Sequence, residues 1–318
     1  MTTNIKARVS DAIMAYAVGD ALGLGAEFMT LAEVKAYYPD GLRDFSQLIS
    51  DAHRCMWGHG NVTNDTYFVL LLARLIEKHG AIDYLDFARG MKKWYSTSRY
   101  DISPQLRRVL GREDYLDDPY AAARVTWKEY GMKSETGSVL GVAAVAGMAS
   151  ETSAEAADAG VKICSVLEAG PRARACSSII ALCANELLRN GTIPTPEELI
   201  NFVAKFSCDI KPYIKLAAEP DGIFKAEIDD EETYWWVRKN LCAGLWAVWN
   251  APDFENGLVD VINCGGDADT NAALAGLMMA LKFGAGCIPA RWVDGLVDDS
   301  TIRVEADAFG QFLASRNK

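Results

Sequence analysis

None of the eight cysteines (Cys55, Cys164, Cys176, Cys183, Cys208, Cys242, Cys264 and Cys287) forms a C-x-x-C pair, so the usual spacing of a structural zinc site is missing. Most of them sit in apolar runs such as Ile163-Cys164-Ser165-Val166 and Leu182-Cys183-Ala184. That pattern suits free thiols buried in a reducing compartment. Histidine is scarce, with only His53, His59 and His79. Charge-free apolar runs of about 18 residues, as a membrane span needs, are lacking. The polar start Met1-Thr2-Thr3-Asn4-Ile5-Lys6-Ala7-Arg8 has no apolar signal core, so the expected location is cytoplasmic. Basic residues are outnumbered, 32 Lys plus Arg against 43 Asp plus Glu, for a net charge of -11. Non-specific nucleic-acid binding, which needs a basic surface, is thereby excluded. An anionic ligand is still admissible where a bound cation supplies local positive charge. Alternating strand patterns, low-complexity linkers and internal repeats are also wanting.

What remains is a chain of 318 residues, 50% hydrophobic, with helical periods from end to end. These features predict a single compact, all-α domain over residues 1–318, with ample material for a core. The segment Leu31 to Asp51 reads as irregular around the turn signal Tyr37-Tyr38-Pro39-Asp40-Gly41, and Asp114 to Tyr120 as an acidic turn.

One stretch organises the rest. Asn263-Cys264-Gly265-Gly266-Asp267-Ala268-Asp269-Thr270-Asn271 runs straight into an alanine-rich apolar segment ending at Leu281. Two glycines permit a tight turn, and two carboxylates and a hydroxyl are then fixed at the mouth of a buried helix. Oxygen ligands of this kind suit a hard divalent cation. They equally suit an ordinary helix N-terminus, where Asp and Thr cap free N–H groups. The same logic recurs in Val62-Thr63-Asn64-Asp65-Thr66, which leads into Tyr67 to Ile76. A third acid, Glu27, follows the glycine-rich helix end Gly19-Asp20-Ala21-Leu22-Gly23-Leu24-Gly25. Its competing reading is a solvated loop carboxylate. The small, apolar run Thr136-Gly137-Ser138 to Gly147 packs closely as helix or loop, and its glycines allow approach to a ligand. His59, alone in a loop, reads as solvated.

Four segments in order resemble the ADP-ribosylglycohydrolase family. Gly19-Asp20-Ala21-Leu22-Gly23 with Glu27 is similar to its GDxxG…E, and Thr63-Asn64-Asp65-Thr66 to its TDDT. Trp94-Tyr95 with Asp101 is similar to its aromatic-loop-acid stretch. Gly265-Gly266-Asp267-Ala268-Asp269-Thr270 is similar to its GGDxDT, followed by an IPxxW-like Ile288-Pro289-Ala290-Arg291-Trp292. The resemblance implies an all-α, orthogonal multi-helix domain with a metal-lined cleft. It implies two Mg²⁺ or Mn²⁺ ions held by Thr63, Asn64, Asp65, Asp267, Asp269 and Thr270. It further implies Glu27, Asp65 and Asp269 as catalytic residues, with Asp101, Gly137 and Ser138 against the substrate. The implied reaction is hydrolysis of a glycosidic bond at the ribose anomeric carbon, with ADP-ribose or an ADP-ribosylated protein as partner and neither nucleic acid nor membrane. Asn64 stands where the family pattern carries Asp. Its neutral amide is a weaker ligand, so one metal site is expected to bind less tightly or to be empty. Leu140-Gly141 and Ala144 replace a Met-Arg pair and a proline of that pattern, and Glu168 falls near a family histidine, so the substrate surroundings differ. Two other readings stay open: an ADP-ribose-binding sensor or immunity factor, and a metal hydrolase acting on an unrelated nucleoside or amide.

Overall fold

The computed structural model of the chain describes residues 2–97, 102–130, 136–206 and 209–316. Among these there are seventeen α-helices, four short 3₁₀ turns and no strand. In chain order the helices are Thr2–Gly23 (α1), Leu31–Tyr37 (α2), Asn64–His79 (α3), Tyr84–Thr97 (α4), Pro104–Leu110 (α5) and Pro119–Glu129 (α6). Val139–Ala149 (α7), Ser153–Ser165 (α8), Pro171–Asn190 (α9), Pro196–Val203 (α10), Lys211–Ala217 (α11) and Gly222–Lys225 (α12) follow. Val237–Asn250 (α13), Phe254–Ile262 (α14), Ala268–Phe283 (α15), Ala290–Asp294 (α16) and Asp299–Arg316 (α17) complete the chain. None of the described helices is long and apolar enough to cross a membrane.

Two helices arise where the sequence suggested irregular chain. Thr30 and Glu33 form a reciprocal capping box: the Glu33 N–H donates to Thr30 Oγ1 at 3.2 Å and the Thr30 N–H to Glu33 Oε2 at 2.8 Å. This starts α2 inside the stretch read as irregular, and its signature, Thr-x-x-Glu, stands in the sequence. Likewise Asp118 Oδ1 accepts from the Ala121 N–H at 2.9 Å with Pro119 in the first turn, so α6 begins within the acidic turn.

The chain divides into two compact units. The first comprises residues 1–67, 212–235 and 239–318; the second, residues 68–211 and 236–238. In the second, α7, α8 and α9 pack on one another. α7 is buried along its whole length, as its uninterrupted small and apolar sequence requires. Asn185 on α9 donates to Gly147 O at 2.9 Å and Ser150 O at 2.8 Å, closing the carbonyl end of α7.

In the first unit α1 packs along α15 and α17, and α14 along α15. Residues with little or no side chain let α1 and α15 touch backbone to backbone. A Cβ on Gly19 would lie 2.2 Å from Ala272 O, one on Gly23 2.4 Å from Ala268 O, and one on Gly276 2.5 Å from Ala15 O. α17 is tied to α1 by Ser10 Oγ, which donates to Asp307 Oδ1 at 2.5 Å. The close α1–α15 seam places the polar residues at its end: Asp20 in the last turn of α1, Asp267 and Asp269 at the start of α15.

Candidate metal centre

All residues of this site belong to the first unit. Gly265 and Gly266 have φ of 75° and 71°. A Cβ there would sit 2.2 Å from Met29 O and 2.3 Å from Ile228 O, so both positions require glycine on two counts. The turn they make delivers Asp267 to the position before α15. Asp267 makes no side-chain cap bond. Its carboxylate faces inward instead, accepting from Asn240 Nδ2 at 3.0 Å and lying 3.1 Å from Thr270 Oγ1. Thr270 Oγ1 is also 2.8 Å from Asp65 Oδ2. Asp269 Oδ1 accepts the Thr270 N–H at 2.7 Å. Carboxylate oxygens of Glu27, Asp267 and Asp269, all buried, lie within 4.8 Å of one another. Thus the structure brings Glu27, Asp65, Asp267, Asp269 and Thr270 together, and the two helix mouths meet.

At the start of α3 the capping reading and the site coexist. Thr63 Oγ1 accepts the Asp65 N–H at 3.2 Å, an ordinary capping bond. Asp20, fully buried, takes the remaining donors: Thr63 N–H at 3.0 and 3.1 Å, Thr66 N–H at 3.1 Å and Thr66 Oγ1 at 2.5 Å. Asp20 therefore holds the first turn of α3 and leaves Asp65 to face Thr270. Asn64 is the first residue of α3 and half-buried.

Five buried carboxylates, Asp20, Glu27, Asp65, Asp267 and Asp269, share this region. Their ionisation shows the strain. Burial, reinforced by the charge of Asp65, pushes Asp20 up to about 7. Burial and the charges of Asp65 and Glu27 push Asp267 up as well. The Tyr16 hydroxyl on α1 is driven far upward by burial and then by Asp65, Asp20, Asp269 and Asp267. The groups bonded to Asp20 and Asp267 through the contacts above are backbone N–H, hydroxyl and amide groups, all neutral. Buried acids without positive charge move toward their neutral form. An all-oxygen, anionic donor set of this kind fits a hard divalent cation.

Three groups escaped the sequence reading. Asn240, fully buried on α13, bridges Asp267 and Asn271, its Nδ2 lying 2.8 Å from Asn271 Oδ1. It stands within an apolar helix with no motif around it. His53 Nε2 lies 2.6 Å from Glu27 Oε2, and Arg54 binds the backbone beneath Glu27. His59 is exposed, as its sequence context suggested. Gly137 and Ser138 form the turn leading into α7 in the second unit, and Asp101 lies outside the described residues.

A family model described as ADP-ribosylglycohydrolase matches residues 1–317. The chain belongs to the ADP-ribosylglycohydrolases. These are hydrolases of glycosidic bonds. Among its relatives, the ADP-ribosylarginine hydrolase Tri1 of Pseudomonas putida is 24% identical over 290 residues, covering 90% of this chain and 73% of the relative. The ADP-ribosyl dinitrogen reductase glycohydrolase of Rhodospirillum rubrum is 24% identical over 298 residues, covering 91% of this chain and 90% of the relative. A solved structure, an ADP-ribosylglycohydrolase-related protein complex, matches with a TM-score of 0.76 and 25% identity over 98% of this chain and 99% of its own. This all-α ADP-ribosylglycohydrolase fold is the one the sequence motifs implied.

Proposed function

We propose that this chain is a divalent-metal-dependent hydrolase that releases ADP-ribose from an ADP-ribosylated acceptor, arginine on a protein being the first candidate. The observation that carries the reading is the convergence of Glu27, Asp65, Asp267 and Asp269 with Thr270 at the mouths of α3 and α15. Thr63, Asn64, Asp65, Asp267, Asp269 and Thr270 are the residues that would hold Mg²⁺ or Mn²⁺. Such an ion supplies Lewis-acid chemistry and orients the ribose hydroxyls. The chain's own groups do the rest. Glu27 takes a proton from the attacking water as general base. The neighbouring carboxylates Asp65 and Asp269 stabilise the positive charge that builds on the ribose ring as the bond to the acceptor nitrogen breaks. Asp20 and Asn240 hold Asp65 and Asp267 in place. The single family model spanning both units supports their acting as one ADP-ribosylglycohydrolase domain. Asp101, Gly137 and Ser138 complete the proposal as substrate contacts, and the cytoplasm as the location.

The test is incubation with ADP-ribosyl-arginine and Mn²⁺ or Mg²⁺, with free ADP-ribose as readout. Release is expected in the wild type, with a loss of at least about 100-fold in Asp267→Ala, whose change removes a group on which geometry depends. Asn64→Asp is expected to raise activity at limiting metal. No release by the wild type combined with tight ADP-ribose binding in calorimetry would replace the enzyme by a binding protein, a reading that the neutral Asn64 favours.

A further inference from the structure

Glu27 sits in a turn, not a helix, so nothing regular fixes its side chain. The segment 51–54 supplies that support from outside the motifs. Arg54 Nε donates to Leu24 O at 3.1 Å and Gly25 O at 3.0 Å, and Arg54 Nη2 donates to Glu27 O. Asp51 pairs with the same guanidinium, and its Oδ1 accepts the His53 N–H at 3.0 Å and the Arg54 N–H at 2.7 Å. The His53 ring, two-thirds buried, then meets the Glu27 carboxylate at 2.6 Å. From the other side, the Phe28 N–H donates to Gly266 O at 2.7 Å and the Gly266 N–H to Met29 O at 2.8 Å, which joins the Glu27 turn directly to the loop before Asp267. Phe28 adopts φ of 59°, an outlier for a bulky residue. Its ring rests on His53 with centroids 5.0 Å apart and on Tyr234 at 5.0 Å. A strained backbone of this kind persists only where its surroundings over-determine it, and such residues cluster at functional sites.

We propose that His53 is a positioning residue for the hydrolysis, donating its ring Nε2–H to Glu27 and fixing that carboxylate beside Asp267 and Asp269, with Arg54 and Phe28 clamping the turn and the ring. This rests on the reading of Glu27 as general base. It assigns His53 no contact with substrate. The neutral ring suffices: with the proton on Nε2, one N–H···O bond orients the acid, as a histidine's partners orient it in metal sites.

The experiment compares His53→Ala with His53→Gln, whose amide N–H reaches Glu27 in the same way. His53→Ala is expected to lower kcat about 10- to 100-fold, the scale of a catalytic group misplaced by an ångström, with KM little changed. His53→Gln is expected to recover most of that loss. Equal damage in both variants, or wild-type kcat in His53→Ala, overturns the proposal. A second readout is independent of turnover. The chain has three histidines, so the His53 imidazole N–H resonance is assignable by its loss in His53→Gln. A downfield, slowly exchanging Nε2–H is expected in the wild type and its disappearance in Glu27→Ala. A wild type without activity but with this resonance defeats the enzyme reading alone. The resonance missing, or unchanged in Glu27→Ala, defeats the positioning contact.

Discussion

Gly23→Ala is the most searching test of how the fold places the site. A methyl group there would stand 2.4 Å from Ala268 O and 2.6 Å from the Cα of Asp269, backbone atoms that cannot rotate away. Ordinary contact begins near 3.4 Å, so α1 and α15 must separate locally by about 1 Å. Overpacking of this sort costs roughly 1–3 kcal/mol, a loss a chain of this size survives. Metal–ligand distances, by contrast, hold to about 0.2 Å. The displacement is thus several-fold beyond what the carboxylate of Asp269 can tolerate while its stability cost stays modest. The assay is thermal unfolding with and without Mn²⁺, beside hydrolysis of ADP-ribosyl-arginine. In the wild type, ion at about 100 times its Kd adds roughly 2.7 kcal/mol to stability and raises Tm. Gly23→Ala is expected to keep its helical circular dichroism, lose the Mn²⁺-dependent rise in Tm, and lose activity by about 100-fold. Gly276→Ala is the control. It overpacks the same seam, 2.5 Å from Ala15 O, but two turns further along α15. It should lose comparable stability and retain most of the response to Mn²⁺. A Gly23→Ala protein with a full Mn²⁺ response and full activity would refute the claim that the seam sets the ligand positions.

Two further outcomes follow from the buried polar groups. Asp20 holds its proton up to about pH 7 in the folded chain against an ordinary value of 3.8. Between those values the native state therefore binds more protons than the unfolded state, and metal-free stability should fall as pH rises from about 4 to 7, by up to roughly 4 kcal/mol. Urea midpoints in EDTA across that range measure it; a flat profile, or one that rises, contradicts the burial argument, and saturating Mn²⁺ should flatten the fall. Asn240→Ala removes donors to Asp267 and Asn271 in a fully buried setting. It should lower stability by about 1–3 kcal/mol and weaken Mn²⁺ binding by calorimetry, whereas wild-type affinity would show that Asp267 needs no such support.

The two helix mouths were legible in the sequence because their chemistry is local. Gly265 and Gly266 announce a turn, and Asp267, Asp269 and Thr270 follow within five residues. The same holds for Thr63 to Thr66. The meeting of those mouths was not legible from periodicity. It depends on Gly19, Gly23 and Gly276 lying opposite Ala272, Ala268 and Ala15, a match between segments some 250 residues apart that no single window contains. The motif resemblance supplied what spacing did not. His53, Arg54 and Asn240 stayed hidden for a related reason: each acts through contacts with residues more than 25 positions away, from a setting that reads as ordinary loop or ordinary apolar helix. Helix α2 differs, since its Thr30–Glu33 capping box is a purely local signal, standing seven residues before the conspicuous turn at Tyr37.

Charge arithmetic joins these pieces. Five carboxylates are buried in the region. Two helix N-termini, those of α3 and α15, face it, and each offers roughly half a positive charge, about one together. The raised values of Asp20 and Asp267 mark an excess of negative charge that these dipoles do not offset. Bound divalent cations would offset it. The substitution Asn64→Asp probes this balance from the other direction, because it adds a sixth acid at the first residue of α3. The metal-free protein should then melt at a lower temperature than the wild type above pH 7, while its affinity for Mn²⁺ rises. The two effects should diverge as pH increases and the added acid stays ionised. If Asn64→Asp changed neither the metal-free Tm nor the Mn²⁺ affinity, position 64 would lie outside the charge balance of the site, and the reason for expecting a weakened second ion would go with it.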